Sequence, residues 1–284
     1  MSVQILVDSA CDLTQEQAKE LNITIIPLKT YFGEEEYLDG ITLDHDGFFK
    51  KLIETDVFPT TSQITPYEYE EYFKKIADAG DTAVCLTLSS KLSGCYQSAC
   101  VAALEYEDSI KVVDSENACL GQGIIVEYAV QLRDQGLSAE EIAKKLEEGK
   151  KKVRLVALLD TLEYLKKGGR ISAATALAGN LLSIKPVIAI MHGEVVVLGK
   201  ARGSKAGNNK LTELIQQEGK IDMSKPIFLA YSGLNDILLQ KYIEDFSYLY
   251  EDYSKKEDLP IMSIGCAIGS HIGPGAIGVA FFVE

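Results

Sequence analysis

Short apolar runs and capped amphipathic segments take turns along the first half of the chain, and this alternation constrains its fold more than any other feature. Val3-Gln4-Ile5-Leu6-Val7 reads as a strand, and Thr14 with Gln17 forms a capping-box pattern that opens a helix to about residue 21. Residues 23–32 read as a second strand and 44–54 as a helix. Thr65, Pro66 and Glu68 supply the N-cap, first-turn proline and capping acid of another helix. Strands at 82–88 and 110–113 alternate with helices at 93–106 and 118–135, and Ser138 with Glu141 caps one more helix. Strands separated by helices pair in parallel through crossover connections, so a parallel sheet is expected up to the charged segment that ends near Lys152.

Beyond Lys152 the pattern changes. A strand at 153–159 precedes helices at 161–167 and 173–182, then come strands at 187–191 and 195–198 joined by His192-Gly193-Glu194. Such a hairpin makes adjacent strands antiparallel, so the second half is expected to hold a mixed sheet. Helices at 204–218 and 235–251 and strands at 227–231, 261–265 and 276–283 complete it. At 284 residues the chain exceeds what one core usually serves, which favours two domains, 1–152 and 153–284.

A net charge of −14 sets a repulsive field against phosphate backbones and anionic membranes, so nucleic acid is not an expected partner. The basic residues that exist are grouped at 144–154, 166–170 and 200–205, and local positive sites in an acidic protein invite a specific anion. Six cysteines without C-x-x-C spacing, and no N-terminal signal sequence, point to reduced thiols in the cytoplasm; the sequon at Asn22 then has no modifying enzyme. The apolar stretch 171–190 is broken by Asn180, Lys185 and Pro186 and reads as a buried helix and strand, not as a membrane span. Three scattered histidines and the carboxylates of "LDGITLDHDG" give no zinc or calcium pattern, and no metal is expected. Neither a phosphate loop nor a dinucleotide fingerprint is present.

What remains is a set of small hydroxyls near a greasy slot. "LKKGGR" leads into a Gly/Ala/Leu run and then a Lys/Arg patch at Lys200, Arg202 and Lys205. Ser93 and Gly94 lie between a strand and a helix N-terminus, where unpaired N–H groups attract anions, although Ser93 alone could serve only to cap its helix. Thr60-Thr61-Ser62 could aim further hydroxyls at the same point, or form a turn. His271, among Gly269, Gly273, Pro274 and Gly275, is read as a loop residue held in position, while His45 and His192 are read as solvated turn residues. The pattern suits a long apolar ligand with a carboxylate. Ser93, His271 and an acid such as Asp114 leave a second reading, a serine-type acyl hydrolase, and no G-x-S-x-G elbow supports it.

"VDSACDLT", "TTSQITP", "LSSKLSGCYQSA", "DSENACLGQG", "LKKGGRIS" and "GSHIGPGA" together resemble the DegV family in order and spacing over nearly the whole chain. The resemblance implies an α/β/α domain with a parallel sheet, a second α/β domain with a mixed six-stranded sheet, and a fatty acid bound between them. It also implies the fatty-acid-binding subunit of a bacterial fatty acid kinase: a carrier, not itself an enzyme and without a cofactor. Such a carrier presents the acid to an ATP-dependent kinase partner and keeps the acyl phosphate for phospholipid synthesis. Carried over by motif, Thr61, Ser62, Ser93, Gly94, Ser270 and His271 hold the carboxylate, with Arg170 of "GGR" beside it. Ile64 and Cys95 depart from the family's common Pro and Thr. The fold's relation to dihydroxyacetone kinases raises a third reading, a kinase in its own right, against which the missing phosphate loop counts.

Each buried methylene contributes roughly 0.8 kcal/mol, so a sixteen-carbon chain supplies on the order of 10 kcal/mol before ordering costs. Leu177, Leu181, Leu182 and Ile184 are expected to line the acyl tunnel or to belong to the core. Lys200, Arg202 and Lys205 are expected to face the kinase, or to be a solvated helix start. No apolar interaction stripe is evident, so a monomer is expected.

Overall fold

The computed structural model describes residues 2–172, 183–251 and 259–284; the helix expected over 173–182, with Leu177, Leu181 and Leu182, lies outside the described residues. In the first half, β1 (Val3–Asp8), β2 (Thr24–Ile26), β6 (Thr82–Thr87) and β7 (Ile110–Asp114) form a four-stranded sheet in the order β2-β1-β6-β7, parallel throughout. The capping boxes at Thr14/Gln17, Thr65/Glu68 and Ser138/Glu141 are formed, and they start α1 (Gln15–Glu20), α3 (Pro66–Asp78) and α6 (Ala139–Gly149).

The expected strand over 23–32 is two strands in two sheets. Pro27, which has no N–H to donate, separates β2 from β3 (Lys29–Phe32). β3 turns away to pair with β4 (Glu35–Leu38) and β5 (Thr60–Ser62) in a small antiparallel sheet. Neither β4 nor β5 was expected: β4 is charged and largely exposed, and β5 reads locally as a hydroxyl-rich turn.

After Lys152 the strands build a mixed six-stranded sheet, in which β8 (Val153–Leu158), β9 (Ile184–Met191), β10 (Glu194–Arg202), β11 (Phe228–Tyr231), β12 (Ile261–Ser263) and β13 (Ile277–Phe282) take the order β10-β9-β8-β13-β11-β12. Only β11 and β12 run parallel. His192 and Gly193 close the β9–β10 hairpin with φ of 52° and 82°, the two left-handed positions of a type I′ turn. The expected helix over 235–251 stops early. It is α9 (Ile237–Asp245), broken at Phe246, whose φ of −129° leaves the helical region and feeds a 3₁₀ turn over Ser247–Tyr250.

The strands change sheet at Lys152 but the helices do not respect that point. α5 (Cys119–Asp134) lies between the two sheets and is buried on nearly every side. Its Ile124, Ile125 and Val126 share one apolar core with Ile5 and Val7 of β1 and with Leu155, Phe228 and Ala280 of the second sheet. α10 (Cys266–Ile272) makes the reverse crossing and packs on α2 (His45–Glu54). α4 (Cys95–Ala103), α7 (Glu163–Lys167) and α8 (Ser204–Glu218) complete the helices used below. No helix among the described residues is long and apolar enough to cross a membrane.

Candidate functional site

A cavity lies between the two sheets. Its floor is the second sheet. Leu155, Ala157 and Leu159 come at alternate positions, so all three face it, and Ile188, Ile190 and Val195 extend the same surface across β9 and β10. The opposite wall is supplied by Ala10, Leu28, Leu88 and Ala118 from loops of the first half, and by Ala267, Ile268 and Ile272 of α10. Among the described residues no Asp or Glu contributes to the wall. Ile184, expected in the tunnel, is instead paired with Arg202 at the start of β9 and contributes nothing to the wall.

Polar groups gather where β5, the loop before α4, the segment after α7 and α10 meet. Thr61 Oγ1 lies 3.0 Å from His271 Nε2, across 210 residues of sequence. Arg170 donates from Nε to Leu92 O at 3.0 Å and from Nη1 to Gly168 O at 2.6 Å. Those two bonds fix the guanidinium beside Ser93, and both Arg170 and Ser93 line the cavity. Gly168 is a close-approach position: a Cβ there would stand 2.2 Å from His271 Nδ1.

His271 sits in the last turn of a helix, not in a loop. The glycines that suggested a loop serve packing: a Cβ on Gly269 would come within 2.6 Å of the Phe48 ring, so its absence lets α10 lie directly on α2. Three further expectations change for local reasons. Ser270 is buried, but its hydroxyl donates to Cys266 O at 2.8 Å within its own helix, and it takes no part in the wall. Ser62 borders the cavity, yet successive strand residues face opposite ways. Thr61 therefore meets His271 while the Ser62 hydroxyl turns to Tyr31 OH at 3.4 Å. Gly94 is covered by Gln63, whose Oε1 stands 1.9 Å from where a Cβ would be. Gln63 itself lines the cavity and bonds Ser98 Oγ at 3.0 Å. It was not anticipated, although its place two residues after Thr61 puts it on Thr61's side of the extended chain.

His192 is exposed at the hairpin tip, whereas His45 is half-buried at the start of α2. Lys200 and Arg202 lie on β10, half-buried and exposed respectively, with Lys205 exposed in the first turn of α8. Among the described residues no group of three or more His, Cys, Asp or Glu side chains is placed to hold a metal ion.

The model of the DegV family, described as "Uncharacterised protein, DegV family", matches residues 2–284. The chain belongs to the DegV family. A DegV domain-containing protein of Clostridium perfringens is 36% identical over 288 residues, covering 98% of this chain and 96% of the relative. Two solved DegV structures superpose over the full length of both chains: a fatty-acid-binding DegV family protein of Thermus thermophilus at 30% identity and TM-score 0.87, and DegV of Bacillus subtilis, a fatty acid binding protein, at 32% and 0.83.

Burial, and secondarily the Arg170 charge, push His271 down to about 4 from its ordinary 6.5. Between these values the unfolded chain binds a proton that the folded chain does not, so His271 weakens the fold as pH falls from about 6.5 to 4 and has no such effect above. The expected size is at most about 3 kcal/mol. Urea midpoints followed against pH should fall more steeply below pH 6.5 for the parent than for His271→Gln; parallel curves would remove His271 as the source.

Proposed function

We propose that this chain binds a long-chain fatty acid in the cavity, with the carboxylate at Thr61, Ser93, Arg170 and His271. The carrying observation is the wall itself: among the described residues it has apolar side chains, no carboxylate, and one cluster of donors with a guanidinium. Fatty acid binding by DegV structures that match over their whole length supports the same reading. The test is mass spectrometry of an organic extract, set against intact mass under native conditions. A near-stoichiometric fatty acid is expected; an empty protein that also refuses added palmitate would sink the reading.

In the fuller form of this reading the protein is a monomeric cytoplasmic carrier without a cofactor. An ATP-dependent kinase phosphorylates the bound acid, and the acyl phosphate is held for phospholipid synthesis. Lys200, Arg202 and Lys205 are the docking group, a basic patch that an acidic kinase surface would fit. Arg202→Glu is then expected to slow acyl phosphate formation at least tenfold with lipid affinity unchanged; unchanged phosphorylation would remove the patch from the docking surface.

The hydrolase alternative is weaker on geometry. Ser93 Oγ contacts Cys95 Sγ at 3.3 Å, His271 Nε2 is engaged by Thr61, and His271 Nδ1 has no hydrogen-bond partner among the described residues. A hydrolase needs a base bonded to its nucleophile and an acid orienting that base. Asp114, the acid considered, accepts from Ser90 N and Glu116 N instead. Burial holds the thiol of Cys119, also on the wall, well above its usual range, so no ready thiolate replaces the serine. Ester turnover lost in Ser93→Ala would reverse this judgement.

A further inference from the structure

The "VDSACDLT" segment stands out in the sequence, yet only Ala10 of its residues 8–12 reaches the cavity wall. Its polar side chains face the other way, into the protein. Ser9 Oγ donates to Asp39 Oδ2 at 2.9 Å and accepts from Leu28 N at 3.0 Å. Asp39, 2% exposed, also accepts from Cys266 N at 2.9 Å through Oδ1 and from Ala267 N at 3.2 Å through Oδ2. Asp12, 1% exposed, accepts from Gly265 N at 2.8 Å through Oδ1. Three consecutive backbone N–H groups at the start of α10 are therefore held by two buried carboxyls more than 220 residues away in sequence.

We infer that Asp39, assisted by Asp12, is a positioning residue of the lipid site, which sets His271 against Thr61 by fixing the first turn of α10. The inference rests on the proposed fatty acid site for its effect on affinity, but its geometric part does not. The packing of Gly269 on Phe48 sets how closely α10 approaches, while helix rotation must be set elsewhere. A helix turns about 100° per residue, so a slip of one residue would take Ile268 and His271 off the cavity wall. Bonds from fixed carboxyl oxygens to successive N–H groups oppose that slip. They are directional in a way that apolar packing is not. Asn at position 39 keeps the shape but offers one acceptor oxygen, and its NH₂ group then faces either the Cys266 or the Ala267 N–H.

The experiment uses the full chain with Asp39→Asn, which must lose at least one of the bonds that Asp39 accepts, and, as the milder variant, Asp12→Asn, whose remaining oxygen can still accept from Gly265 N. Ring ¹⁵N and ¹H resonances of His271, assigned by their loss in His271→Gln, are recorded in ligand-free protein, with exposed His192 as internal control. Displacement of the His271 signals with His192 unmoved is expected. Palmitate affinity should fall about tenfold in Asp39→Asn, because small misplacements of a binding group are costly. In the His271→Gln background that loss should largely vanish, since residues acting through one another are not additive. A folded variant with lowered melting temperature but unmoved His271 resonances would overturn the proposal, as would affinity losses that simply add. If the parent binds no fatty acid at all, the proposed function fails, and the ligand-free resonances alone then decide whether Asp39 positions His271.

Discussion

Ala157→Phe is expected to abolish uptake of a long-chain acid while the protein remains folded. Ala157 lies mid-strand in β8, 9% exposed, between Leu155 and Leu159 on the face that forms the cavity floor, with Ile188 opposite it. A benzyl group built there projects into the void, not into packed core. Overpacking costs of roughly 1–3 kcal/mol arise where a core has no space to yield, and here the space exists. The ring takes the volume of about five methylenes, and at roughly 0.8 kcal/mol each their displacement costs on the order of 4 kcal/mol, close to a thousandfold in affinity.

Titration of palmitate and of a short acid such as octanoate would check this, with melting temperature as the control for folding. Palmitate should lose most of its affinity, and the short acid far less, because its chain ends before the blocked depth. Equal losses for both would mean that the ring disturbs the head end; no loss for either would place the chain outside this cavity.

The same floor shows what the sequence makes legible and what it does not. Local signals were reliable: the capping pairs start their helices, the helix over Ser204–Glu218 has its expected bounds, and the His192-Gly193 hairpin forms as its residues require. Alternation of apolar residues in β8 marks which side chains face one surface, but not that the surface borders a void, since void or packed neighbour depends on elements far away in the chain. The residues of the proposed head-group cluster are legible by motif, yet the pairing of Thr61 with His271 spans 210 residues and rests on β5, a strand too short and too polar to read. α10 reads as a loop in the sequence because a glycine every four residues suggests one. Only the Phe48 and Phe49 rings beneath Gly269 reveal it as a closely packed helix. For Ser270, the residue type was right for an anion site but the side-chain direction was not, and direction follows from helix phase that no motif encodes.

Arg170→Gln is expected to weaken fatty acid binding roughly a hundredfold, a loss of about 2–3 kcal/mol. Among the described residues Arg170 is the one wall residue that carries a full charge near neutral pH, since burial and Arg170 itself keep His271 neutral down to about pH 4. Burial lowers the arginine's own pKa from its usual value, but a guanidinium starts far enough above neutrality to keep its proton. No carboxylate among the described residues is placed to pair with it in the cavity wall, and Leu92 O and Gly168 O already fix its orientation. The guanidinium is thus preorganised toward an anion and loses little freedom when one arrives. The decisive control is a ligand of the same length without the charge. Hexadecanol fills the same apolar volume, so Arg170→Gln should leave its affinity within about threefold while palmitate loses its hundredfold advantage. If both ligands weaken together, Arg170 supports the loop between Leu92 and Gly168 and the carboxylate is held elsewhere. If palmitate alone weakens, the charge end of the cavity is located, and with it the direction in which the chain runs along β8.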